Sequence, residues 1–345
     1  MLYATTRGKH DVVTAHKAAH TDCYTDGGLF VPFRMPKFHK EQLEALATTT
    51  PVQIVADVLN MFFSCGLNAW DVELVIGRKP LLAVGIGRNL LCLELWRSSG
   101  SDVPQTVQRL SDRIRGGQKG QTPTNWMQIA VRIALLFASY GSQLASGALR
   151  VHRLFDVAVT TSDFAMPMAA WYARQMGLPI GNIICGCNIN GSIWDLLNRG
   201  EFSTGDVRMS SITPEADIVV PRNLERLISA TLDGEEVQRY LLCCSKGRTY
   251  TLAEDALQKV GQGMFAAVIS DSRVMSVIPG VYHARHYVLS PYAALAYGSL
   301  QDYRAMTGHT RPALLLAERS PLQDRNLLAQ LLQISENDLP GLIGR

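Results

Sequence analysis

A chain of 345 residues has room for two domains or one large α/β unit, and 47% apolar with 18% charged residues is a soluble, globular composition. A formal net charge of +3 is close to balance and gives no electrostatic case for nucleic acid. The opening MLYATTRGKHD has no apolar signal core and no apolar run reaches membrane length, so the expectation is a cytoplasmic protein with no membrane partner.

In chain order, Leu2 to Gly8 reads as a strand ending in glycine, and Asp11 to His20 has helical character. His16 and His20 stand four apart with Cys23 three further on, a spacing shared by metal sites and by ordinary solvated helices. Asp26-Gly27-Gly28 is a turn signal before a short strand, Leu29 to Pro32. Phe38 to Met61 reads as two amphipathic helices split at Thr48-Thr49-Thr50-Pro51, and Asp71 to Ile76 as another short helix. Leu90 to Trp96 is apolar enough for a buried strand, followed by the loop Arg97-Ser98-Ser99-Gly100-Ser101-Asp102 and a helix start at Pro104, with Asp102 as its cap. The stretch 116–124, GGQKGQTPT, is linker-like, and Lys119 among its glycines lacks the Walker pattern.

A strong helix follows over Asn125 to Gln143. From Asp156 the pattern becomes βαβα: strand to Thr160, loop, helix Met166 to Met176, strand Asn182 to Cys187, loop at Asn188 and Asn190, helix Ser192 to Arg199. Such alternation predicts a parallel sheet with ligands at the carboxyl ends of its strands. Further helices are expected after an Asn223 cap, over Glu235 to Cys244, over Leu252 to Phe265 and over Tyr292 to Met306, with a late strand at Ala313 to Leu316. The seven cysteines, odd in number and mostly in apolar runs, read as reduced, buried thiols. Cys185-Gly-Cys187 and Cys243-Cys244 have no second pair at zinc spacing, so no metal is expected.

These landmarks match one family in order. Tyr3-Ala4-Thr5-Thr6-Arg7-Gly8 resembles YxSTRG, and Asp26 to Pro32 reproduces DGGLFVP. Asn125-Trp126 resembles NSINWARI, and Met176 to Ile180 with Cys187 to Asn190 resembles MGLPI followed by ATNxND. Ala216-Asp217-Ile218 with Asn223 to Leu227 resembles MDIxxxSNLERL, and Tyr287 to Ala294 resembles GYLLDPHTAVG. Together they resemble threonine synthase of the bacterial and fungal type, a fold-type II pyridoxal-phosphate enzyme. The resemblance implies an α/β fold: the large, mostly parallel domain of a tryptophan synthase β-like enzyme, a threonine-synthase-type N-terminal segment, and a lost small middle domain. The implied divisions are residues 1–88 (N-terminal-like region), 89–124 (strand with truncated lysine loop and linker) and 125–345 (large domain).

The same resemblance implies that the chemistry is degraded. The family anchors its cofactor through a lysine in LELFHGPTxAFKD. Here Leu93-Glu94-Leu95-Trp96 keeps the strand, Ser98, Ser99, Gly100 and Ser101 replace the loop, and no lysine occurs between Lys79 and Lys119. The phosphate loop PTGNFGD is matched by Thr160, Thr161, Ser162, Asp163, Phe164, Ala165 and Met166, without either glycine and with a carboxylate beside the phosphate position. TAHPAKF is matched by Ala317, Glu318, Arg319, Ser320 and Pro321, and the arginine of NWARI becomes Gln128.

The degenerate cofactor positions are therefore Ser98, Ser99, Gly100, Ser101, Thr161, Ser162, Asp163, Asn188, Asn190, Glu318, Arg319 and Ser320. The expectation is a threonine synthase-like protein without a bound cofactor or catalytic residue, in a binding, regulatory or vestigial role. One open alternative is an active carbon–oxygen lyase with pyridoxal phosphate anchored on Lys119. Others are a hydrolase or transferase pairing a loop serine with His283 or His286, and a subunit modulating an amino-acid biosynthetic enzyme. The expected partners are a small amino-acid-like or phosphate ligand and a second copy in a homodimer, since removal of a domain bares apolar surface unless the 97–124 segment covers it.

Overall fold

The computed structural model describes residues 1–8, 12–77, 81, 83–100, 102–120, 123–205 and 207–343, with the side chains of 98–100 outside the description. Strand β1 (Leu2–Thr5) pairs antiparallel with β2 (Val13–Thr14) and β3 (Phe30–Pro32). Helix α1 (Ala15–His20) follows β2 and is shorter than the helix read from Asp11, because Val13 and Thr14 join the sheet. Helices α2 (Lys40–Ala45), α3 (Pro51–Phe63) and α4 (Ala69–Ile76) come next. Pro51 opens α3, and the Thr50 hydroxyl accepts the Gln53 amide at 3.4 Å, a proline-plus-cap start.

Strands β4 (Ala83–Gly87) and β5 (Leu90–Glu94) form an antiparallel pair. The strand expected to run to Trp96 stops at Glu94, and Leu95–Gly100 winds into a 3₁₀ turn. Helix α5 (Val103–Ile114) and helix α6 (Met127–Ala145) are the helices described between β5 and the next strand of the sheet. The expected alternation then appears as β6 (Phe155–Thr160), α7 (Ala165–Gln175), β7 (Ile180–Cys187) and α8 (Ser192–Arg199).

A small ribbon of β8 (Glu201–Phe202) and β9 (Tyr250–Thr251) frames α9 (Leu224–Thr231) and α10 (Gly234–Ser245). The helix read over Leu252 to Phe265 divides into α11 (Glu254–Gly261) and strand β10 (Met264–Val268), with the turn at Gly263 in the left-handed region. Helices α12 (Asp271–Arg285) and α13 (Pro291–Thr307), strand β11 (Ala313–Ala317), and helices α14 (Arg325–Leu332) and α15 (Leu339–Ile343) complete the chain.

Six strands form one sheet in the order β10-β7-β6-β11-β5-β4, parallel throughout except for the antiparallel edge strand β4. Both faces are covered, as a parallel sheet requires. Val157 and Val159 of β6 and Leu314 and Leu316 of β11 pack toward α6 and α7, while Ala158, Ala313 and Leu315 pack toward α12 and α13. Gly186 sits where α13 crosses β7: a β-carbon there would lie 2.6 Å from the Leu295 carbonyl carbon, so backbone meets backbone only without a side chain.

Several quoted motifs converge around one buried cation. Arg226, fully buried, donates through Nη2 to the Thr124 carbonyl at 2.6 Å and the Phe30 carbonyl at 3.3 Å. Its guanidinium carbon lies 5.7 Å from the Trp126 ring centre. Burial pushes its pKa down to about 10. Asn125 donates to the carbonyls of Ala18 and Thr21, both at 2.7 Å. These residues clamp the N-terminal sheet to the large α/β layer.

Candidate functional site

The carboxyl ends of β6 and β11 face the first turns of α5 and α7 across a cavity of about 300 Å3. Ser162 and Asp163 line it from the loop after β6, Glu318 and Arg319 from the loop after β11, and Gln128 and Arg132 from α6. Glu215, Tyr292 and Pro123 complete its rim, and no lysine is among the described lining residues.

The loop after β6 keeps a turn that suits glycine while carrying side chains. Ser162 has φ 40° and Phe164 φ 66°, both in the left-handed region. The Asp163 Oδ1 accepts the backbone N–H of Ala165 at 3.0 Å, an Asx turn at the first amide of α7. Asn223 secures this loop from α9's start: its backbone N–H and its Nδ2 donate to the Asp163 carbonyl at 3.2 and 3.1 Å. The expected Asn223 cap is thus spent otherwise: its Nδ2 makes this tertiary contact and its Oδ1 accepts from the Arg226 guanidinium, while no amide of α9 is capped by its side chain.

Charges on the cavity wall are paired across it. Arg132 Nε donates to Glu318 Oε2 at 3.1 Å, and Arg132 Nη1 donates to the Gln128 carbonyl at 2.9 Å and to its Oε1 at 3.2 Å. A guanidinium one helical turn further along α6 therefore reaches back to position 128. Arg319 pairs with Glu215 and lies over the Tyr292 ring, 5.0 Å from its centre. Burial raises the Glu318 pKa, with the charges of Asp163 and Asp102 adding to the effect and Arg132 opposing it. Burial also lowers the Arg319 pKa. Behind Arg319, Asp102 caps no helix amide with its side chain; its Oδ1 accepts the Ser320 amide at 2.8 Å and its Oδ2 accepts from Gln323. The Asp324 pKa is pushed up to about 6 by burial and by Asp102, against the attraction of Arg319.

Other positions singled out in the sequence lie elsewhere. Thr161 is buried and donates to the Gly186 carbonyl at 3.3 Å. Asn188 Nδ2 donates to Asp217 Oδ1 at 2.7 Å and to Thr213 Oγ1 at 3.1 Å, and Asn190 donates to the same Asp217 oxygen at 3.1 Å. That second strand-end corner is a closed hydrogen-bond network. Ser320 is held by Asp102 and accepts the Leu322 amide at 3.2 Å. Ser101 and the side chains of Ser98 and Ser99 lie outside the described residues, as does any side-chain account of the Gly100 position. Lys119 is exposed and does not line the cavity. His283 and His286 occupy the end of α12, where the His283 Nδ1 lies 2.7 Å from the Pro279 carbonyl and His286 closes the helix. His16 and His20 stack at 4.1 Å, and among the described residues no group of three or more His, Cys, Asp or Glu could hold a metal. All seven cysteines are unpaired.

The sequence reading missed Arg132, Glu215 and Tyr292. Arg132 carried a signal: a lone charge inside the apolar run of α6, buried to 6% exposure, needs a partner. Glu215 and Tyr292 carried none, because their approach depends on how two distant segments fold over the strand ends.

The family model for the threonine synthase N terminus matches residues 2–78. Threonine synthase-like 1 of Homo sapiens is 25% identical over 175 residues, which is 50% of this chain and 24% of that one. Threonine synthase-like 2 of Xenopus laevis is 26% identical over 210 residues, 60% of this chain and 43% of that one. The chain thus spans less than half the length of these curated relatives. Among solved structures, pyridoxal-phosphate-bound threonine synthase of Brucella melitensis superposes with a TM-score of 0.86 at 19% identity, covering 100% of this chain and 95% of that one. Threonine synthase from yeast superposes with a TM-score of 0.83 at 14% identity, covering 96% and 90%. Among the described residues no helix is long and apolar enough to cross a membrane. The chain is similar to threonine synthases along its length, with a match to their N-terminal domain at residues 2–78 and with their fold throughout.

Proposed function

We propose that this chain is a threonine synthase-like protein without pyridoxal-phosphate-dependent catalysis, and that its cavity serves binding rather than turnover. The observation that carries the reading is Asp163, whose carboxylate already holds the first amide of α7 where the resemblance places a phosphate. A phosphate there would meet a like charge at a helix start whose first amide is already taken. The cofactor's aldehyde would find no lysine among the described lining residues, and the Arg132–Glu318 pair occupies the same wall. The residues present therefore do not fit pyridoxal phosphate.

The wall suits the ammonium end of a small amino-acid-type ligand better than a phosphate, because its arginines are matched by Glu318 and Glu215 while the Asp163 carboxylate adds negative charge that no described lining cation pairs. A cytoplasmic location belongs to the same proposal, since seven unpaired thiols suit a reducing compartment. The test is to add pyridoxal phosphate to the pure protein, record the visible spectrum, reduce with borohydride and map the peptides. No new absorbance band and no stoichiometric pyridoxyl-lysine are expected. A stoichiometric label on Lys119, or on any other single lysine, overturns the reading.

A further inference from the structure

A second concavity, of about 650 Å3, lies at the other end of the sheet, beside the β4–β5 turn and under α12 and α13. Its floor is aliphatic: Ile86 and Leu90 from the sheet, Val277 and Val281 from α12, and Leu300 from α13. Its rim is cationic, with Arg88 from the turn, Arg285 from the end of α12 and Arg304 from α13, and no carboxylate is among the described lining residues.

Arg304 is fixed in place without an acid. Its Nη2 donates to the carbonyls of Asn89 at 2.9 Å and Arg311 at 3.0 Å, and its Nη1 donates to the Arg88 carbonyl at 3.3 Å. Carbonyls orient a guanidinium but leave its charge unneutralised. Arg88 and Arg285 are exposed, and among the described residues none of the three forms an ion pair with an acid. An apolar floor with a one-sign rim asks for a ligand that is apolar at one end and anionic at the other.

We propose that this groove binds a single-chain anionic amphiphile, an aliphatic chain laid on Ile86, Leu90, Val277, Val281 and Leu300 with a carboxylate or phosphate head among Arg88, Arg285 and Arg304. The proposal is independent of the strand-end cavity. Gly280 supplies a clean probe, because a β-carbon there meets nothing within 4 Å and its backbone is ordinary helix. Gly280→Leu therefore adds a side chain to the groove lining at a position with open space for its β-carbon, and leucine favours the helix over glycine.

The full chain is titrated calorimetrically with decanoate, decyl phosphate and uncharged decanol, each below its aggregation concentration. Decanoate and decyl phosphate are expected to bind at one per chain, and decanol about tenfold more weakly or not at all, as loss of charge-assisted bonds implies. Gly280→Leu is expected to weaken decanoate at least tenfold while keeping the wild-type melting temperature or raising it. The double variant Arg88→Gln/Arg285→Gln is expected to lose about tenfold for both anions and little for decanol. Tight decyl phosphate with weak decanoate assigns the head to phosphate, and equal affinity assigns it to either anion. Absence of saturable binding to the wild type overturns the proposal, as does decanoate affinity unchanged in folded Gly280→Leu, or decanol binding as well as decanoate.

Discussion

The carboxylate of Asp163 and the backbone N–H of Ala165 meet at 3.0 Å, so α7 begins on an anion supplied by its own chain. Replacing Asp163 with Ala removes an acceptor from the first amide of α7 and frees the loop from its Asx turn. The expected loss is about 1 kcal/mol of stability, typical of a lost local side-chain-to-backbone bond. Urea unfolding of Asp163→Ala against wild type measures it, and an unchanged midpoint would show that water replaces the carboxylate without cost.

The adjacent Ser162 holds φ at 40°, where an L residue is strained and glycine is not. Ser162→Gly is expected to raise stability by about 0.5–1 kcal/mol, because relief of strain outweighs the added freedom of the unfolded chain. A fall in the melting temperature would mean that the serine side chain contributes more than its backbone costs.

How much of this was legible depends on what each residue's signal rests on. Helix α8 was read with the bounds Ser192–Arg199 that it has, since its apolar face and its closing glycine at 200 are both local. Strands β6, β7 and β11 were legible because parallel strands buried on both faces appear as short apolar runs. Helix α12 is masked in the sequence by Pro279, a helix breaker lying inside it, although its buried residues Val274, Ile278 and Val281 keep helical spacing. Strand β10 was absorbed into a helix because Met264 to Val268 shows no alternation, being packed between β7 and solvent at the sheet edge. At the cavity, Ser162, Asp163, Glu318 and Arg319 were readable through resemblance, whereas Arg132 reaches the site from α6 by the length of its own side chain.

Asp324 gives a pH dependence with a definite sign. Its pKa is raised from 3.8 to about 6, chiefly by burial, and its Oδ2 is buried without a hydrogen-bond partner among the described residues. A carboxyl group whose folded pKa is raised takes up its proton first in the native state. Its contribution to stability is fully present below about pH 4 and is lost as pH rises through about 6. Asp324→Asn mimics the protonated form, so it is expected to stabilise the protein at pH 8 by about 1 kcal/mol and to have no advantage at pH 4. Unfolding curves at pH 8, 6 and 4 test this. A variant less stable than wild type at pH 8 would mean that attraction to Arg319 dominates.

Arg97, the first residue of the altered loop, ties the sheet to the end of the chain. Its Nε donates to Glu94 Oε2 at 2.6 Å, and its Nη2 donates to Glu94 Oε1 at 3.1 Å and to the Ile343 carbonyl at 2.6 Å. Glu94 is only 3% exposed and also accepts from the Tyr287 hydroxyl at 3.0 Å. Arg97→Met removes the counter-charge and leaves a buried carboxylate, which is expected to cost about 3 kcal/mol. Glu94→Gln/Arg97→Met removes the orphaned charge while Tyr287 keeps an acceptor, so it should recover most of that loss. Hydrogen exchange separates the two contributions. Amides of α15 should exchange faster in both variants, because both lose the bond to Ile343, whereas β5 should be affected only in the single variant. Equal destabilisation of the single and double variants would place the energy in the Ile343 contact, with the Glu94 pair contributing nothing.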